Sequence, residues 1–368
     1  MNPREHAFVV GGGPAGLVAA IALRRKGLRV TVADGGEAPS DKACGEGILP
    51  EGLAALKRLG IALNWMKGRA FHGIRFVNAQ NSAEAKFGSR AGLGMRRIAL
   101  HRQLIDAAEK CGVEVLWRTP VSGIENRNVF AGEKKFAADW IIGADGFGSQ
   151  VRRWAGITAK RHASLRYAFR QHFAIAPWSD FVEIHWAAKA QLYVTPVSDA
   201  EVGVVVLSQN PKLHLREALQ LFPAVLDRLK NCEATTAERG AATGNLTLPA
   251  VCSGHVALVG DASGTVDAIT GEGMSLAFQQ AEALAHAIAL RNLAHYGAAH
   301  SCLRRRPLWV ARQLLLLETH SWLEKRVLQA FASDQKLFQR MLSVHLGEAS
   351  TFSFATVGAW LGWRMLAA

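Results

Sequence analysis

Residues 8–34, FVVGGGPAGLVAAIALRRKGLRVTVAD, lead from a short apolar strand through a glycine-rich turn into a helix and a second apolar strand. Gly11, Gly13 and Gly16 match the spacing G-x-G-x-x-G, which permits a tight turn, close approach of a pyrophosphate and close helix–strand packing. The amino-terminal N–H groups and the dipole of that helix favour an anion at the turn. The stretch therefore predicts the first βαβ unit of a dinucleotide-binding domain.

The acidic residue that ends this stretch narrows the choice of dinucleotide. Asp34 lies 18 residues after Gly16, at the end of the second predicted strand. A carboxylate at this place accepts hydrogen bonds from both ribose hydroxyls and disfavours a 2′-phosphate. The sequence therefore favours FAD or NAD over NADP at this site.

Two later segments decide between FAD and NAD. Residues 139–152, DWIIGADGFGSQVR, and residues 255–279, HVALVGDASGTVDAITGEGMSLAFQ, each place an aspartate beside a glycine after a short apolar strand. Glycine lets the backbone pass close to a ligand, and the carboxylate can hold a hydroxyl. In this order, the segments resemble the FAD-binding family that includes p-hydroxybenzoate hydroxylase, flavin-dependent halogenases and geranylgeranyl reductases. The resemblance extends from the amino terminus to about residue 290.

The resemblance implies an α/β fold with a Rossmann-like FAD-binding domain, an antiparallel β-sheet substrate domain and a helical carboxyl-terminal region. The implied boundaries are 1–70, 94–155 and 245–300 for a discontinuous FAD-binding domain, 71–93 and 156–244 for the substrate-binding sheet, and 301–368 for the helical region.

The motifs and the resemblance together assign the FAD contacts. The predicted FAD-binding residues are Gly11, Gly13, Pro14, Ala15, Gly16, Asp34, Cys44, Gly45, Arg97, Val121, Asp145, Gly260, Asp261, Gly271, Gly273 and Met274. By resemblance, the segment RRIALHRQLIDAA matches an arginine-led helix that reaches FAD, with Arg97 at the matching position, and a surface charge at a helix start is the alternative for it. The helix that begins near Met274 is expected to stabilise negative charge on the reduced flavin. Residues 143–146 are expected to face a transient NAD(P)H as well.

Residues 41–61, DKACGEGILPEGLAALKRLGI, carry the pattern K-x-C-G-E-G. By resemblance, this pattern occurs in geranylgeranyl reductase-like flavoproteins and in related FAD monooxygenases. Two glycines flank Glu46, so we expect an irregular loop, followed by an amphipathic helix that starts at Pro50. Cys44 and Glu46 are catalytic candidates. For Cys44, tight packing near the flavin and a redox or substrate-shaping thiol both remain open.

Alternating runs predict the substrate sheet. Residues 72–80 and 85–95 are expected to form a hairpin, and residues 183–196, EIHWAAKAQLYVTP, are treated as one strand that lines the pocket. In a regular strand, Trp186 and the other even-numbered residues face one side, whereas His185 and Tyr193 face the other. Burial favours the apolar side as the inward face. Trp186 and His185 complete the catalytic candidates.

Composition sets the compartment and the partners. The chain has 368 residues, a net charge of +13 and five scattered cysteines without a C-x-x-C pair. These features predict a cytoplasmic protein with reduced thiols, no metal site and no signal peptide. The basic residues are dispersed, which argues against a nucleic-acid partner.

The carboxyl-terminal region has two interpretations. Residues 307–331 have helical apolar spacing with basic flanks, and Trp360, Trp363 and Arg364 lie in an apolar tail. Peripheral membrane contact and packing on the core both fit this pattern.

The predicted function is that of an NAD(P)H-dependent FAD monooxygenase, a hydroxylase or epoxidase, acting on an apolar or aromatic small molecule. The alternative is reduction of isoprenoid double bonds, as in geranylgeranyl reductases, although residues 183–196 lack their Y-x-W-x-F-P pattern. A halogenase is disfavoured because no W-x-W-x-I-P segment is present. A flavin or lipid carrier is the non-enzyme alternative.

Overall fold

Two large β-sheets, two smaller three-stranded sheets and a set of carboxyl-terminal helices make up the described part of the protein, which in a computed structural model comprises residues 5–348 and Trp360. The strands are β1 (His6–Val10), β2 (Arg29–Ala33), β3 (Gly47–Ile48), β4 (Arg69–Phe71), β5 (Gly73–Val77), β6 (Ser82–Lys86), β7 (Gly92–Gly94), β8 (Glu114–Leu116), β9 (Val121–Glu125), β10 (Asn128–Ala131), β11 (Lys134–Ala137), β12 (Trp140–Gly143), β13 (Lys160–Phe173), β14 (Val182–Ala187), β15 (Ala190–Pro196), β16 (Val202–Ser208), β17 (Arg239–Thr247), β18 (Cys252–Ser253) and β19 (Val256–Leu258). The helices are α1 (Pro14–Arg25), α2 (Pro50–Arg58), α3 (Arg97–Lys110), α4 (Gln150–Trp154), α5 (Leu215–Ala218), α6 (Pro223–Leu229), α7 (Gly273–Ala289), α8 (Leu293–Thr319), α9 (Ser321–Ser333) and α10 (Gln335–His345).

The first sheet has the strand order β18-β19-β12-β1-β2-β8, and only the β18–β19 pair is antiparallel. All five residues of β1 are buried, as expected for a strand covered on both faces. Helices α1, α3 and α7 share one apolar core on one face, and the β9–β11 sheet packs against the other. This architecture confirms the predicted α/β fold with a Rossmann-like domain.

The second sheet has the order β17-β13-β16-β15-β14-β5-β6. One of its faces packs against α5 and α6, and the other packs against the carboxyl-terminal helices. The sheet is not purely antiparallel, because β14 pairs with β5 in parallel. Strand β17 reaches Thr247, so it crosses the predicted domain boundary at residue 245 and stays paired with β13.

The hairpin predicted from residues 72–80 and 85–95 is only partly correct. Strand β5 does form a hairpin, but its partner is β6, with Gly73 opposite Lys86 and Val77 opposite Ser82. The chain turns after β6, where Gly88 adopts a φ of +63°. Strand β7 then joins β3 and β4 in a separate three-stranded sheet.

The treatment of residues 183–196 as one strand is wrong. A two-residue turn at Ala188 and Lys189 separates β14 from β15, and Lys189 adopts a φ of +62°. The turn places Tyr193 opposite Ile184, so that both lie on the same face as Trp186. His185 lies on the opposite face.

The carboxyl-terminal region is helical in its described part, but residues 307–331 do not form one helix. Pro307 lies inside α8, which ends at Thr319, and α9 starts anew at Ser321. Among the described residues, no helix is both long and apolar enough to cross a bilayer. Trp363 and Arg364 lie outside the described residues, whereas the ring of Trp360 is 4.8 Å from the Arg340 guanidinium carbon.

Candidate cofactor site and adjoining cavity

The glycine-rich turn leaves no room for side chains between β1 and α1. A Cβ atom on Gly16 would lie 1.9 Å from the Gly11 carbonyl oxygen, and one on Gly11 would lie 2.5 Å from the Ala144 oxygen. Gly11 also has a φ of +108°. Helix α1 begins with Pro14, and no side chain caps its first turn. Its amino-terminal N–H groups are therefore placed to receive an anionic ligand.

Asp34 holds its carboxylate beside this turn. One oxygen accepts a hydrogen bond from the Gly12 N–H and the other from the Gly36 N–H, both at 2.7 Å. The side chain is half-buried, so a ligand at the glycine-rich turn can still reach it. This position is compatible with the predicted ribose contact.

We expect Asp34→Ala to weaken FAD binding about 10- to 100-fold, because a charge-assisted hydrogen bond contributes about 1.5–3 kcal/mol. The measurement is a fluorescence titration of the apoprotein with FAD. Asp227→Ala, at an exposed carboxylate paired with Lys230, is the matched control and should not change the dissociation constant. Equal affinities for the two variants would contradict the ribose assignment.

Two residues that the sequence did not reveal support the turn. The Ser40 N–H donates to Nδ1 of His101 at 2.9 Å, so Nε2 of this buried ring carries the proton and donates to the Gly12 oxygen at 2.7 Å. Burial lowers the pKa of His101, which keeps the ring neutral. The Trp117 ring covers Gly12, where a Cβ would lie 2.5 Å from it. The only sequence signal for His101 is its place on α3.

Arg97 and Asp261 lie near the start of α1. The Arg97 guanidinium lies 3.9 Å from where a Gly13 Cβ would be, and its buried Nε has no hydrogen-bond partner. Asp261 is an exposed residue, but the protein atoms packed around its carboxyl group desolvate it and thereby raise its pKa. The nearby cations Arg97 and Lys42 act in the opposite direction. A half-buried arginine with an orphaned donor fits the predicted pyrophosphate contact better than a surface charge.

Gly260 brings the second Gly-Asp pair against α1. Its φ is +59°, its N–H donates to the Gln280 side-chain oxygen at 2.8 Å, and a Cβ on it would lie 2.8 Å from the Ala15 Cβ. The carboxylate of Asp145 accepts hydrogen bonds from Ser149 Oγ and from the first N–H groups of α4. Val121 opens β9 and packs beneath the first sheet. For both, FAD contact stays a prediction.

The loop that contains Cys44 lies against the start of α7. The Cys44 sulfur is 3.9 Å from the Met274 sulfur, and the Gly45 oxygen accepts a hydrogen bond from Thr195 Oγ1 at 2.8 Å. Burial raises the pKa of Cys44, with Arg97 acting in the opposite direction. The group is therefore a neutral thiol near pH 7, which favours the packing alternative over a thiolate role.

Glu46 is buried in this loop and adopts a φ of +59°. Its Oε1 accepts from the Arg97 N–H at 2.8 Å, and its Oε2 lies 2.6 Å from Nε2 of His172. Arg170, which can only donate, lies 2.8 Å from Nδ1 of His172, so Nε2 carries the proton and donates to Glu46. Arg170 also pairs with Asp41 at 2.5 Å. Both oxygens of Glu46 are thus engaged by the protein, which fits a positioning role better than the predicted catalytic one.

The loop 267–273 connects this region to the second sheet. Asp267 caps the Ile269 N–H at 3.1 Å, and the Tyr193 hydroxyl donates to the Ile269 oxygen at 2.8 Å. A Cβ on Gly271 or Gly273 would meet no atom within 4 Å. The start of α7 is therefore open on the side where the resemblance expects the flavin ring.

Arg166 links the loop 267–273 to helix α8. Its guanidinium pairs with Asp267 at 2.7 Å and binds both carboxylate oxygens of Glu318 on α8. All three side chains are almost fully buried. The cluster joins the second sheet, the loop 267–273 and α8.

An apolar cavity of about 260 Å³ lies between the second sheet, this loop and helices α8–α10. Its lining residues are Ile74, Phe76, Ile184, Ile269, Thr270, Trp309, Val310, Gln313, Leu314, Leu316, Leu317, Leu323, Val327, Phe331, Phe338, Met341, Leu342 and His345. Trp186 supports the wall through an edge contact with Phe76, at 5.7 Å between ring centroids. His185 lies away from the cavity, with Nε2 at 3.0 Å from Glu183.

Among the residues that the structure describes, no three His, Cys, Asp or Glu side chains form a group that could hold a metal ion. The residues around the glycine-rich turn fit FAD. Three features lie together at this turn: the unpartnered Nε of Arg97, the uncapped start of α1 and the carboxylate of Asp34 at the end of β2.

Comparisons with known proteins agree with this assignment. Menaquinone reductase from Mycolicibacterium smegmatis is 27% identical over 352 residues, covering 87% of this chain and 86% of that protein. Digeranylgeranylglycerophospholipid reductase from Thermoplasma acidophilum is 29% identical, covering 73% and 74%. A candidate 2-heptyl-3-hydroxy-4(1H)-quinolone synthase from Rhodococcus erythropolis is 29% identical, covering 77% and 79%.

A flavoprotein/dehydrogenase structure from Cytophaga hutchinsonii has the same fold, with a TM-score of 0.80, 20% identity and 93% of each chain covered. The sequence profile of the FAD binding domain matches residues 5–297. Because this match covers well over half of the chain, the protein belongs to the FAD binding domain family and is an FAD-dependent oxidoreductase.

Proposed function

We propose that the protein is an NAD(P)H-dependent monooxygenase that hydroxylates an aromatic ring carrying an alkyl chain. The observation that carries this proposal is the apolar cavity of about 260 Å³ that ends at the loop before α7. Its volume lies just below the roughly 300–1,000 Å³ that is typical of drug-sized ligands, which favours a compact substrate over a complete lipid. The heptyl chain in the name of the quinolone synthase is of this size class.

In such a reaction, the residues of this chain bind and position the cofactor and the substrate. Bound FAD supplies the redox chemistry with NAD(P)H and oxygen. The apolar walls exclude water and hold the alkyl chain, and the N–H groups at the start of α7 stabilise negative charge on the cofactor. Arg97 and Asp261 hold the cofactor at the start of α1, and Glu46 positions the loop around Cys44.

The test uses the FAD-loaded protein with NADPH, isotopically heavy oxygen gas and para-hexylphenol. Mass spectrometry should find one heavy oxygen atom in the product, and the phenol should accelerate NADPH oxidation. NADPH that fails to bleach the flavin would indicate a carrier and overturn the proposal. A product without heavy oxygen would overturn it as well.

Reduction of an isoprenoid double bond is the second candidate function. It is favoured by the similarity to menaquinone reductase, which covers more of this chain than the similarity to the quinolone synthase does. With NADPH as the hydride donor to FAD and water as the proton source, geranylgeraniol gains two hydrogen atoms under anaerobic conditions if this function is correct, whereas the monooxygenase proposal expects no such product.

The corrected hairpin register makes a prediction about the cavity wall. We expect Trp186→Ala to reduce product formed per NADPH at least about threefold, because the cavity it leaves beside Phe76 loosens the wall. His185→Ala, on the other face, should change this coupling by less than about twofold if the wall alone determines it. The coupling ratio and the FAD content of both variants are measured together. Greater damage from His185→Ala at equal FAD content would restore His185 as an active-site residue.

We also propose that the edge of the cavity at the α8–α9 junction contacts an anionic bilayer, from which the substrate enters. Leu316 is 46% exposed there and Trp322 is 64% exposed, and Leu316 lines the cavity. The exposed cations Arg312 and Lys325 lie on the same two helices. Apolar and aromatic side chains among basic ones are typical of an interfacial surface.

Trp322→Ser should therefore lower binding to phosphatidylglycerol vesicles several-fold in a flotation assay, because it removes the largest exposed apolar side chain of this edge. Trp65→Ser is the matched control, since Trp65 is 45% exposed on a different part of the protein. No binding by the unchanged protein, or equal losses in both variants, would contradict the bilayer contact.

A further inference from the structure

Besides Thr270 and Gln313, the lining of the apolar cavity contains one polar residue, His345, that the contacts described so far do not explain. His345 of α10 lines the cavity and is 8% exposed, and its Nδ1 has no hydrogen-bond partner. Its Nε2 lies 3.5 Å from Oε1 of Glu272, which is 7% exposed and has an unpartnered Oε2. Buried polar atoms without partners are rare in folded proteins and destabilise them. Two such atoms in one buried pair leave hydrogen-bonding capacity that a ligand in the cavity can use.

The surroundings decide the charge of this pair. Burial raises the pKa of Glu272 to about 8, with Arg306 lowering it and Glu51 raising it further. Burial lowers the pKa of His345 to about 4, and Arg306 acts in the same direction. Near pH 7, a neutral carboxyl therefore faces a neutral imidazole. Such a pair can both donate and accept hydrogen bonds, and it suits a neutral hydroxyl better than a carboxylate or a phosphate.

The position of the pair sets the orientation of a ligand. Glu272 directly precedes α7, and Ile269 and Thr270 of the same loop line the cavity. A hydroxyl bound at this end places the ring that carries it beside the start of α7. The rest of the molecule then extends along apolar walls toward Leu316 and Leu323.

We propose that His345, paired with Glu272, binds a neutral hydroxyl of the substrate and thereby selects alkylphenols. The proposal rests on the proposed function, because it takes the cavity to be the substrate site. His345 and Glu272 act here as specificity-determining residues, and neither is assigned a chemical step.

The test compares two probes of the same shape, para-hexylphenol and hexylbenzene, by calorimetric titration of the FAD-loaded protein. In His345→Leu, the ratio of the phenol to the hexylbenzene dissociation constant should rise about tenfold, because the phenol hydroxyl is then buried without its partner. Met341→Leu is the matched control, since Met341 lines the cavity from the same helix. Its ratio should stay within about twofold of the unchanged protein. Glu272→Met should raise the ratio as well, and it replaces the first variant if that one does not fold.

The outcomes separate this inference from the function on which it rests. If the unchanged protein binds neither probe, both the substrate cavity and the hydroxyl site are wrong. If hexylbenzene binds but His345→Leu and Glu272→Met leave the ratio unchanged, the hydroxyl site is wrong and the cavity stands. A rise of the same size in Met341→Leu would also overturn the hydroxyl site.

Discussion

Arg166→Leu is expected to lower the free energy of unfolding by about 3–5 kcal/mol, because it leaves two buried carboxylates without a cation. Arg166 is fully buried, and it pairs with Asp267 at 2.7 Å and with Glu318 at 2.8 Å. Removing one partner of a buried ion pair costs far more than the pair contributes, since the remaining charge cannot return to water. The loss is measured by guanidinium chloride unfolding.

Arg58→Leu is the matched control for this experiment. Arg58 also binds both oxygens of one carboxylate, that of Glu282, at 2.7 and 2.8 Å. Its side chain is 56% exposed, so water replaces the lost contacts and the expected cost is below about 1 kcal/mol. Adding Glu318→Leu to Arg166→Leu should recover part of the lost stability. Similar losses in the two single variants would show that the buried cluster does not hold the loop 267–273 to α8.

The local motifs of the first 60 residues were predictable because each depends on neighbours in sequence. The glycine spacing determines the turn, Pro50 starts α2, and the acidic residue follows directly from the end of β2. The same kind of reasoning failed at residues 183–196. The turn at Ala188 and Lys189 contains no glycine, asparagine, aspartate or proline, so the alternating pattern continues through it without a signal.

The supporting network could not be predicted for a different reason. His172 lies 126 residues from Glu46, and His101 lies 89 residues from Gly12. Contacts over such separations exist only after distant parts of the chain have packed together, and a single histidine or arginine has no local pattern that reveals its partner. The prediction of Glu46 as a catalytic residue identified an important position but not the two hydrogen bonds that engage it.

The cavity depends on both kinds of information. The apolar residues of β14 were expected to face inward, and Ile184 does line the cavity, together with Ile74 and Phe76 of β5, for which only a hairpin was predicted. Its opposite wall comes from α8, α9 and α10, and its polar end comes from His345. Helical spacing over residues 307–331 indicated an amphipathic region there, but it did not extend to α10 and could not indicate which surface these helices cover.

Gly16→Ala is expected to abolish stoichiometric FAD binding, with the affinity falling at least about tenfold. The new Cβ would lie 1.9 Å from the Gly11 oxygen, which belongs to the backbone and cannot rotate away as a side chain would. Relief requires α1 to move off β1, and overpacking of this kind costs about 1–3 kcal/mol or more. The shift displaces the amino-terminal N–H groups of α1 from the predicted place of the pyrophosphate.

The measurement is the FAD content of the purified protein, followed by titration of the apoprotein. Gly297→Ala is the matched control, because Gly297 lies inside α8 and a Cβ there would meet no atom within 4 Å. In that variant the FAD content should be unchanged, and the helix should gain about 0.5–1 kcal/mol from the better helix former. If Gly16→Ala purifies with as much FAD as Gly297→Ala, then α1 tolerates displacement and its amino terminus does not bind the pyrophosphate. The affinity must then come from Arg97, Asp34 and Asp261 alone, which makes their single variants the next measurements.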